Sequence, residues 1–187
     1  VNFDPYNELM AQAGEMTSRL TEYYRAHLNC RAGCSGCCQH HLSVFPVEAA
    51  GISAAIQALP DETQRRLKRQ ATETIERESQ SKAVACPMLI NDKCAIYEAR
   101  PVICRTQGLP LLYETEDGEQ VVDFCPLNFT AEHATDELDE ARLVPLETLN
   151  LRLAAVNLHF CRAQGVGDEA SFRRVRMSDI ILRQDKV

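Results

Sequence analysis

Cys30-Arg31-Ala32-Gly33-Cys34-Ser35-Gly36-Cys37-Cys38 puts four cysteines in nine residues, spaced C-x3-C-x2-C-C. Two readings compete for so dense a cluster: a disulfide framework or thiolates gathered for a metal. Cys37 and Cys38 are adjacent, and a bridge between neighbours strains disulfide geometry. Disulfide-dense domains are also small chains that cannot build a core. This chain has 187 residues, 45% of them hydrophobic, and can fill one. Metal ligation is therefore the expectation, with bridged or buried thiols as the alternative.

Outward from the cluster, 4–28 carries Leu9, Met16, Leu20, Tyr23 and His27 on one helical face. Asn29 to Gly36 breaks that pattern, so the cluster is expected on a loop after a helix. Leu42 to Phe45 reads as a short extended link. Pro46 suits the first turn of a helix running to about Ala58. A polar helix should follow from Pro60-Asp61-Glu62 to about Ser81, with Leu67, Ala71, Thr74 and Ile75 inward and Arg65, Arg66, Lys68 and Arg69 on a solvated face. Residues 82–108 hold Cys86, Cys94 and Cys104 and read as mostly loop, with a helical turn at Tyr97 to Ala99 that stops before Pro101. Leu109 to Thr115 and Gln120 to Phe124 flank Asp117-Gly118 and predict a β-hairpin, with Cys125-Pro126 at its end. A helix from Pro145 to Gln164 carries the stripe Leu146, Leu149, Leu153, Val156 and Phe160, with Cys161 off it and Gly165 to terminate it. The tail from Ser171 has no clear pattern. The expected fold is mainly α with a small β-hairpin, its helices arranged around a cysteine-rich, loop-built metal centre, in a single domain over 1–187.

Composition removes several function classes. The net charge of −7 opposes binding to nucleic acid or anionic membranes. Trp is absent and aromatics are 6%, which leaves few stacking platforms for single strands. No apolar run reaches the roughly 20 residues of a bilayer span. From Val1 onward there is no basic n-region or apolar h-region, so no signal peptide is expected and a cytoplasmic location is the working assignment. No G-x-G-x-x-G, P-loop or H-E-x-x-H motif is present, and no Ser-His-Asp or Cys-His set can be assembled.

Eight of the nine cysteines fall in loops or at element ends: Cys30, Cys34, Cys37, Cys38, Cys86, Cys94, Cys104 and Cys125. They are the candidate metal ligands, enough for two four-thiolate sites or for one site plus structural thiols. Cys161, in mid-helix, reads as a small buried hydrophobe. The Cys86-Pro87 and Cys125-Pro126 steps resemble the chain exit beside iron–sulfur ligands. Thiolate-rich centres carry excess negative charge and call for nearby cations. Arg100 and Arg105, which bracket Pro101 to Cys104, are assigned that supporting role, while Arg31 and Lys93 divide evenly between it and plain surface charge. His40 and His41 could complete a Cys3His site, but read first as an exposed polar pair. His27 reads as a packed helix residue.

These residues resemble the CxxCxxCC, or YkgJ-type, cysteine cluster family. The resemblance covers Cys30 to Cys38, then Cys86-Pro87-Met88-Leu89 and Cys94-Ala95-Ile96-Tyr97-Glu98-Ala99-Arg100-Pro101-Val102-Ile103-Cys104-Arg105, with Cys125-Pro126 as a further member. The first spacing here is x3 rather than the x2 of the family name. The resemblance implies a zinc- or iron-chelating protein, usually bacterial, of largely unassigned activity. A similar cysteine domain occurs in bacterial flagellin lysine methylases, but no S-adenosylmethionine site is recognisable here, so methyl transfer is not carried over. The expected cofactor is an iron–sulfur cluster, with zinc as the alternative. The expected function is metal binding with a redox, sensing or uncharacterised enzymatic role. The alternatives are a structural zinc module that meets a protein partner and an oxidised domain with disulfides.

Overall fold

Helix formation follows the apolar spacing closely along this chain. The computed structural model describes residues 3–31, 33–40, 42–80 and 84–183. Its helices are α1 (Asp4–Tyr23), α2 (Pro46–Gln57), α3 (Asp61–Ser79), α4 (Val102–Thr106), α5 (Leu146–Ala163), α6 (Asp168–Ser171) and α7 (Met177–Leu182). The strands are short: β1 (Ser43–Val44), β2 (Leu89–Ile90), β3 (Lys93–Cys94), β4 (Leu111–Glu114), β5 (Gln120–Asp123), β6 (Val144–Pro145) and β7 (Val175–Arg176). The architecture is mainly α with small β elements, as expected. Among the described residues no helix is long and apolar enough to cross a membrane. The chain forms two compact units, one from Ala32–Pro101 with Asn157–Val187, the other from Asn2–Arg31 with Val102–Val156.

The first unit is built on α2, α3 and α7. Val44, Ile52, Ile56, Leu67, Ala71, Ile180 and Ile181 form its core, joined by Met88 and Ile96 from the cysteine-bearing segment. The extended link at 42–45 acquires a partner: β1 pairs antiparallel with β7, Ser43 opposite Arg176 and Val44 opposite Val175. The unpatterned tail is thereby explained. Its strand and helix are too short for periodicity to declare, and pairing with β1 holds them. α3 buries Leu67, Ala71 and Thr74, as its stripe implies. Within its basic row, Arg66 departs from the solvated-face reading. Arg66 donates through Nη2 to Asn91 Oδ1 at 3.2 Å and through Nε to Gln70 Oε1 at 3.1 Å.

Asn157 on α5 is fully buried and holds two segments at once. Its Oδ1 accepts from the Val47 N–H at 3.2 Å, and its Nδ2 donates to the Ser171 carbonyl at 2.7 Å. Val47 lies in the first turn of α2, where backbone N–H groups have no intrahelical acceptor. Asn157→Ala should therefore lower the unfolding free energy by about 2 kcal/mol, since a buried polar group left unpaired costs roughly 1–3 kcal/mol. Urea titration of the two proteins measures this directly.

The second unit contains α1, α4 and the three-stranded sheet β5-β4-β6. The hairpin appears where Asp117-Gly118 marks it: β4 and β5 are antiparallel, and Gly118 takes the positive φ of 81° that the turn requires. β6 adds in parallel, Leu111 opposite Val144. α1 buries Tyr6, Leu9, Ala13 and Leu20 and ends at Tyr23 rather than near 28. Tyr24, not Tyr23, is the inward aromatic beyond it. Tyr24 is buried and its hydroxyl accepts from the Asp139 N–H at 3.1 Å, whereas Tyr23 is exposed under the Arg142 guanidinium. The stretch 102–106, read as loop, is the short helix α4, which packs on α1.

Candidate metal centre

Cys37 and Cys38 sit in the 3-10 turn Gly36–Cys38. Gly33, with φ of 90°, turns the chain into it. The second cysteine segment is tied to the first through backbone: the Cys86 N–H donates to the Cys38 carbonyl at 2.7 Å. Cys94 lies on the β2–β3 hairpin opposite Leu89. The hairpin turns through Asn91 and Asp92, both with positive φ, a conformation these two residue types tolerate best after glycine. Its tip is fastened on two sides. Asp92 Oδ1 accepts from the Ser35 hydroxyl at 3.0 Å, and Gln70 Nε2 on α3 donates to the Leu89 carbonyl at 2.8 Å. Met88 and Ile96, both buried, anchor the segment between and after the sulfurs.

These contacts place Cys37, Cys38, Cys86 and Cys94 within one another's electrostatic reach. Burial pushes the Cys38 thiol up to about 12, and the neighbouring charges of Cys37, Cys86 and Cys94 add to the rise. Burial likewise raises Cys86 to about 11, against a backbone N–H donated by Met88. Cys94 is raised by burial and pulled back by the Ile96 N–H and the Arg100 cation. At Cys86 and Cys94 the same local device recurs: the N–H two residues onward points at the sulfur. Such donors orient a thiolate and offset its charge. Arg100 is held in place by its own chain, its Nε donating to the Tyr97 carbonyl at 3.0 Å and its guanidinium lying 3.5 Å from the Tyr97 ring centroid.

None of the nine cysteines is joined in a disulfide among the described residues. Among the described residues no three Cys, His, Asp or Glu side chains stand in ready-made coordination geometry. The donor chemistry nonetheless fits a thiophilic metal. Four thiols share one field, burial holds the protons on Cys38, Cys86 and Cys94, and a cation in their midst would relieve both burial and mutual repulsion.

In the second unit, Cys30 and Cys125 both approach Gly108. Gly108 has φ of 93°, and a Cβ there would come within 3.0 Å of Cys30 Sγ and 3.8 Å of Cys125 Cβ. Asn128, which the sequence alone did not flag, organises this corner. It is buried, its Nδ2 donates to the Gly108 carbonyl at 2.7 Å and lies 3.6 Å from Cys30 Sγ, and its Oδ1 accepts from the Asn29 N–H at 2.8 Å. No local pattern marks it in the sequence, because its partners come from residues 29, 30 and 108. Cys104 and Arg105 lie on α4. A Cβ on Gly14 of α1 would sit 3.8 Å from Arg105 Nη1, so this guanidinium reaches across to α1.

The remaining predicted residues separate clearly. Cys34 is exposed beside the Gly33 turn, and Arg31 and Lys93 are exposed. Cys161 is fully buried, its thiol donating to Asn157 Oδ1 at 3.7 Å. His27 stacks on Phe129 and pairs with Glu137 at 3.0 Å. His40 is exposed, and His41 lies outside the described residues.

Thiols gathered in this way are a donor set suited to a chelating protein. Residues 29–126 match the family model CxxCxxCC, described as "Putative zinc- or iron-chelating domain", and this chain belongs to that family. The match covers over half of the sequence. No curated protein and no solved structure matches it.

The raised thiols make pH a probe of the site. A thiol whose folded value exceeds its ordinary value of 9.0 favours the fold while it is protonated in both states, and that contribution is lost as pH climbs above it. Metal-free protein should thus lose stability between about pH 9 and pH 12, by thermal unfolding across that range. Metal uptake by these thiols at neutral pH would release their protons. Titration calorimetry in two buffers of different ionisation enthalpy should show it.

Proposed function

We propose that this protein holds an iron–sulfur cluster through its loop cysteines and uses it in a redox or sensing role within a reducing, cytoplasmic compartment. In the first unit Cys37, Cys38, Cys86 and Cys94 form one four-thiol group with Cys34 as a further ligand, and in the second unit Cys30, Cys104 and Cys125 are candidate ligands of their own. Arg100 and Arg105 act as the cations that offset thiolate charge. The observation that carries the reading is the shared field of four thiols held by two backbone-linked loops, with N–H donors on Cys86 and Cys94. When bound, a cluster would supply one-electron chemistry. The chain's own residues hold the sulfurs, neutralise charge and limit water.

Zinc in a structural site that presents a surface to a protein partner is the competing function. The N–H donors at Cys86 and Cys94 would serve thiolates around zinc equally well. Metal and acid-labile sulfide analysis on anaerobically purified protein separates the two. Iron with sulfide and a broad visible absorption supports the cluster; stoichiometric zinc in a colourless protein overturns it.

A further inference from the structure

The buried carboxamide of Asn128, in the second unit, has the Cys30 sulfur against it. Its Oδ1 accepts from the Asn29 N–H at 2.8 Å, and its Nδ2 donates to the Gly108 carbonyl at 2.7 Å. Those two bonds fix which end of the amide is oxygen and which is nitrogen. An amide nitrogen carries two hydrogens, so a second donor stands beside the one that Gly108 takes. Cys30 Sγ lies 3.6 Å from that nitrogen and 3.9 Å from Oδ1. A thiol can donate to the oxygen. A thiolate has no hydrogen to give and can only accept, and the nitrogen is the nearer atom.

The backbone around this contact is held from several directions. The Asn128 N–H donates to the Cys125 carbonyl at 2.8 Å, which places the amide from the end of the β4–β5 hairpin. Phe129 follows with φ of 53°, a conformation that bulky residues rarely adopt and that persists only where the surroundings over-determine it. Its N–H donates to the His27 carbonyl at 2.8 Å, and its ring packs against Tyr24, His27 and Phe124. Gly108 bounds the contact as well: a Cβ there would meet Cys30 Sγ at 3.0 Å and Asn128 Nδ2 at 3.4 Å. Cys30 is exposed all the same, so the contact steadies the sulfur without enclosing the residue.

We infer that Asn128 is the positioning residue of Cys30: its second amide hydrogen is donated to the Cys30 thiolate, which holds the sulfur and offsets its charge for a metal. The inference rests on the reading of Cys30 as a ligand and not on which metal is bound. A carboxamide suits the task because it supplies a donor without placing a further charge in a buried corner. A mere clamp between 29 and 108 would act on the fold alone, with no effect routed through the Cys30 sulfur.

Cadmium(II) is the probe, titrated into the reduced full chain and followed by NMR with a spin-active cadmium isotope, its affinity measured by competition with a chelator. Cys30→Ala should abolish or shift a cadmium resonance. Asn128→Asp keeps the acceptor for Asn29 and removes both donors. It should weaken cadmium(II) roughly tenfold or more, the usual cost of losing a group that hydrogen-bonds a metal ligand. In a Cys30→Ala background the same change should alter affinity less than about twofold, because the contact it breaks is already gone. In the parent, one Asn128 side-chain amide hydrogen should show coupling to cadmium through the Cys30 sulfur, and this measurement decides if the Asn128 variant does not fold. Equal weakening in both backgrounds, no such coupling in the parent, or the absence of any cadmium resonance that depends on Cys30 would overturn the inference. Iron and acid-labile sulfide in the protein as isolated report on the cluster alone, so failure of that reading is told apart from failure of this one.

Discussion

Cys38→Ala and Cys94→Ala should each strip the protein of tightly held metal, while Cys161→Ala keeps the parent's full content. The contrast follows from position. Cys38 and Cys94 share one electrostatic neighbourhood with Cys37 and Cys86, and each removes one of the donors on which metal affinity would rest. Loss of an outer-shell partner alone typically costs ten- to a hundred-fold in affinity, and loss of a ligand should exceed that. Cys161 is fully buried in α5, where its thiol donates to Asn157 Oδ1. Its replacement should cost about 1 kcal/mol of stability and no metal. Elemental analysis of the three variants, purified anaerobically in parallel, gives the answer. Equal metal loss in all three would mean that Cys161 had been sorted wrongly.

The second large effect is expected on metal removal. The loops carry few apolar residues of their own in the sequence, which implies that ligation supplies much of their folding free energy. The two segments differ in this respect. Residues 33–40 contain no buried side chain, whereas 84–96 is pinned by Val84, Met88 and Ile96. Chelation under reducing conditions should therefore lower the melting temperature by several degrees, at the roughly 2–4 °C that each kcal/mol produces in a chain of this size. Limited proteolysis should then cut first within 33–40 and spare 84–96 until global unfolding. Unchanged melting after verified metal loss would show that the fold carries the loops unaided, and simultaneous cutting of both segments would show that Met88 and Ile96 are weaker anchors than their burial implies.

Much of this protein is legible from local pattern. The boundaries of α2 and α3, the hairpin about Asp117-Gly118 and the extent of α5 all follow from periodicity, proline and turn chemistry, because each is decided within a few residues of itself. The distinction between Cys161 and the loop cysteines is legible for the same reason. Family membership rests on the spacing of the cysteines over 29–126, which is also a property of the sequence alone.

Other features are decided only when distant segments meet. Nothing near 42–45 or 171–183 announces that β1 pairs with β7, since two-residue strands are stabilised by the partner and not by their own propensity. α4 is too short for a helical period, and its packing on α1 holds it. Arg66 reads as surface charge until Asn91 arrives at the hairpin tip, and Tyr23 and Tyr24 are interchangeable in the sequence until the Asp139 backbone selects one. Asn128 and Asn157 are invisible as organisers for the same reason: a buried amide is defined by the backbone groups it satisfies, and those come from residues far away in the chain. The cysteines themselves were countable from the start. Which of them share a field was set by the Cys86 N–H on the Cys38 carbonyl and by the hairpin that carries Cys94, because thiol chemistry depends on burial and neighbouring charge, and both are properties of the folded chain.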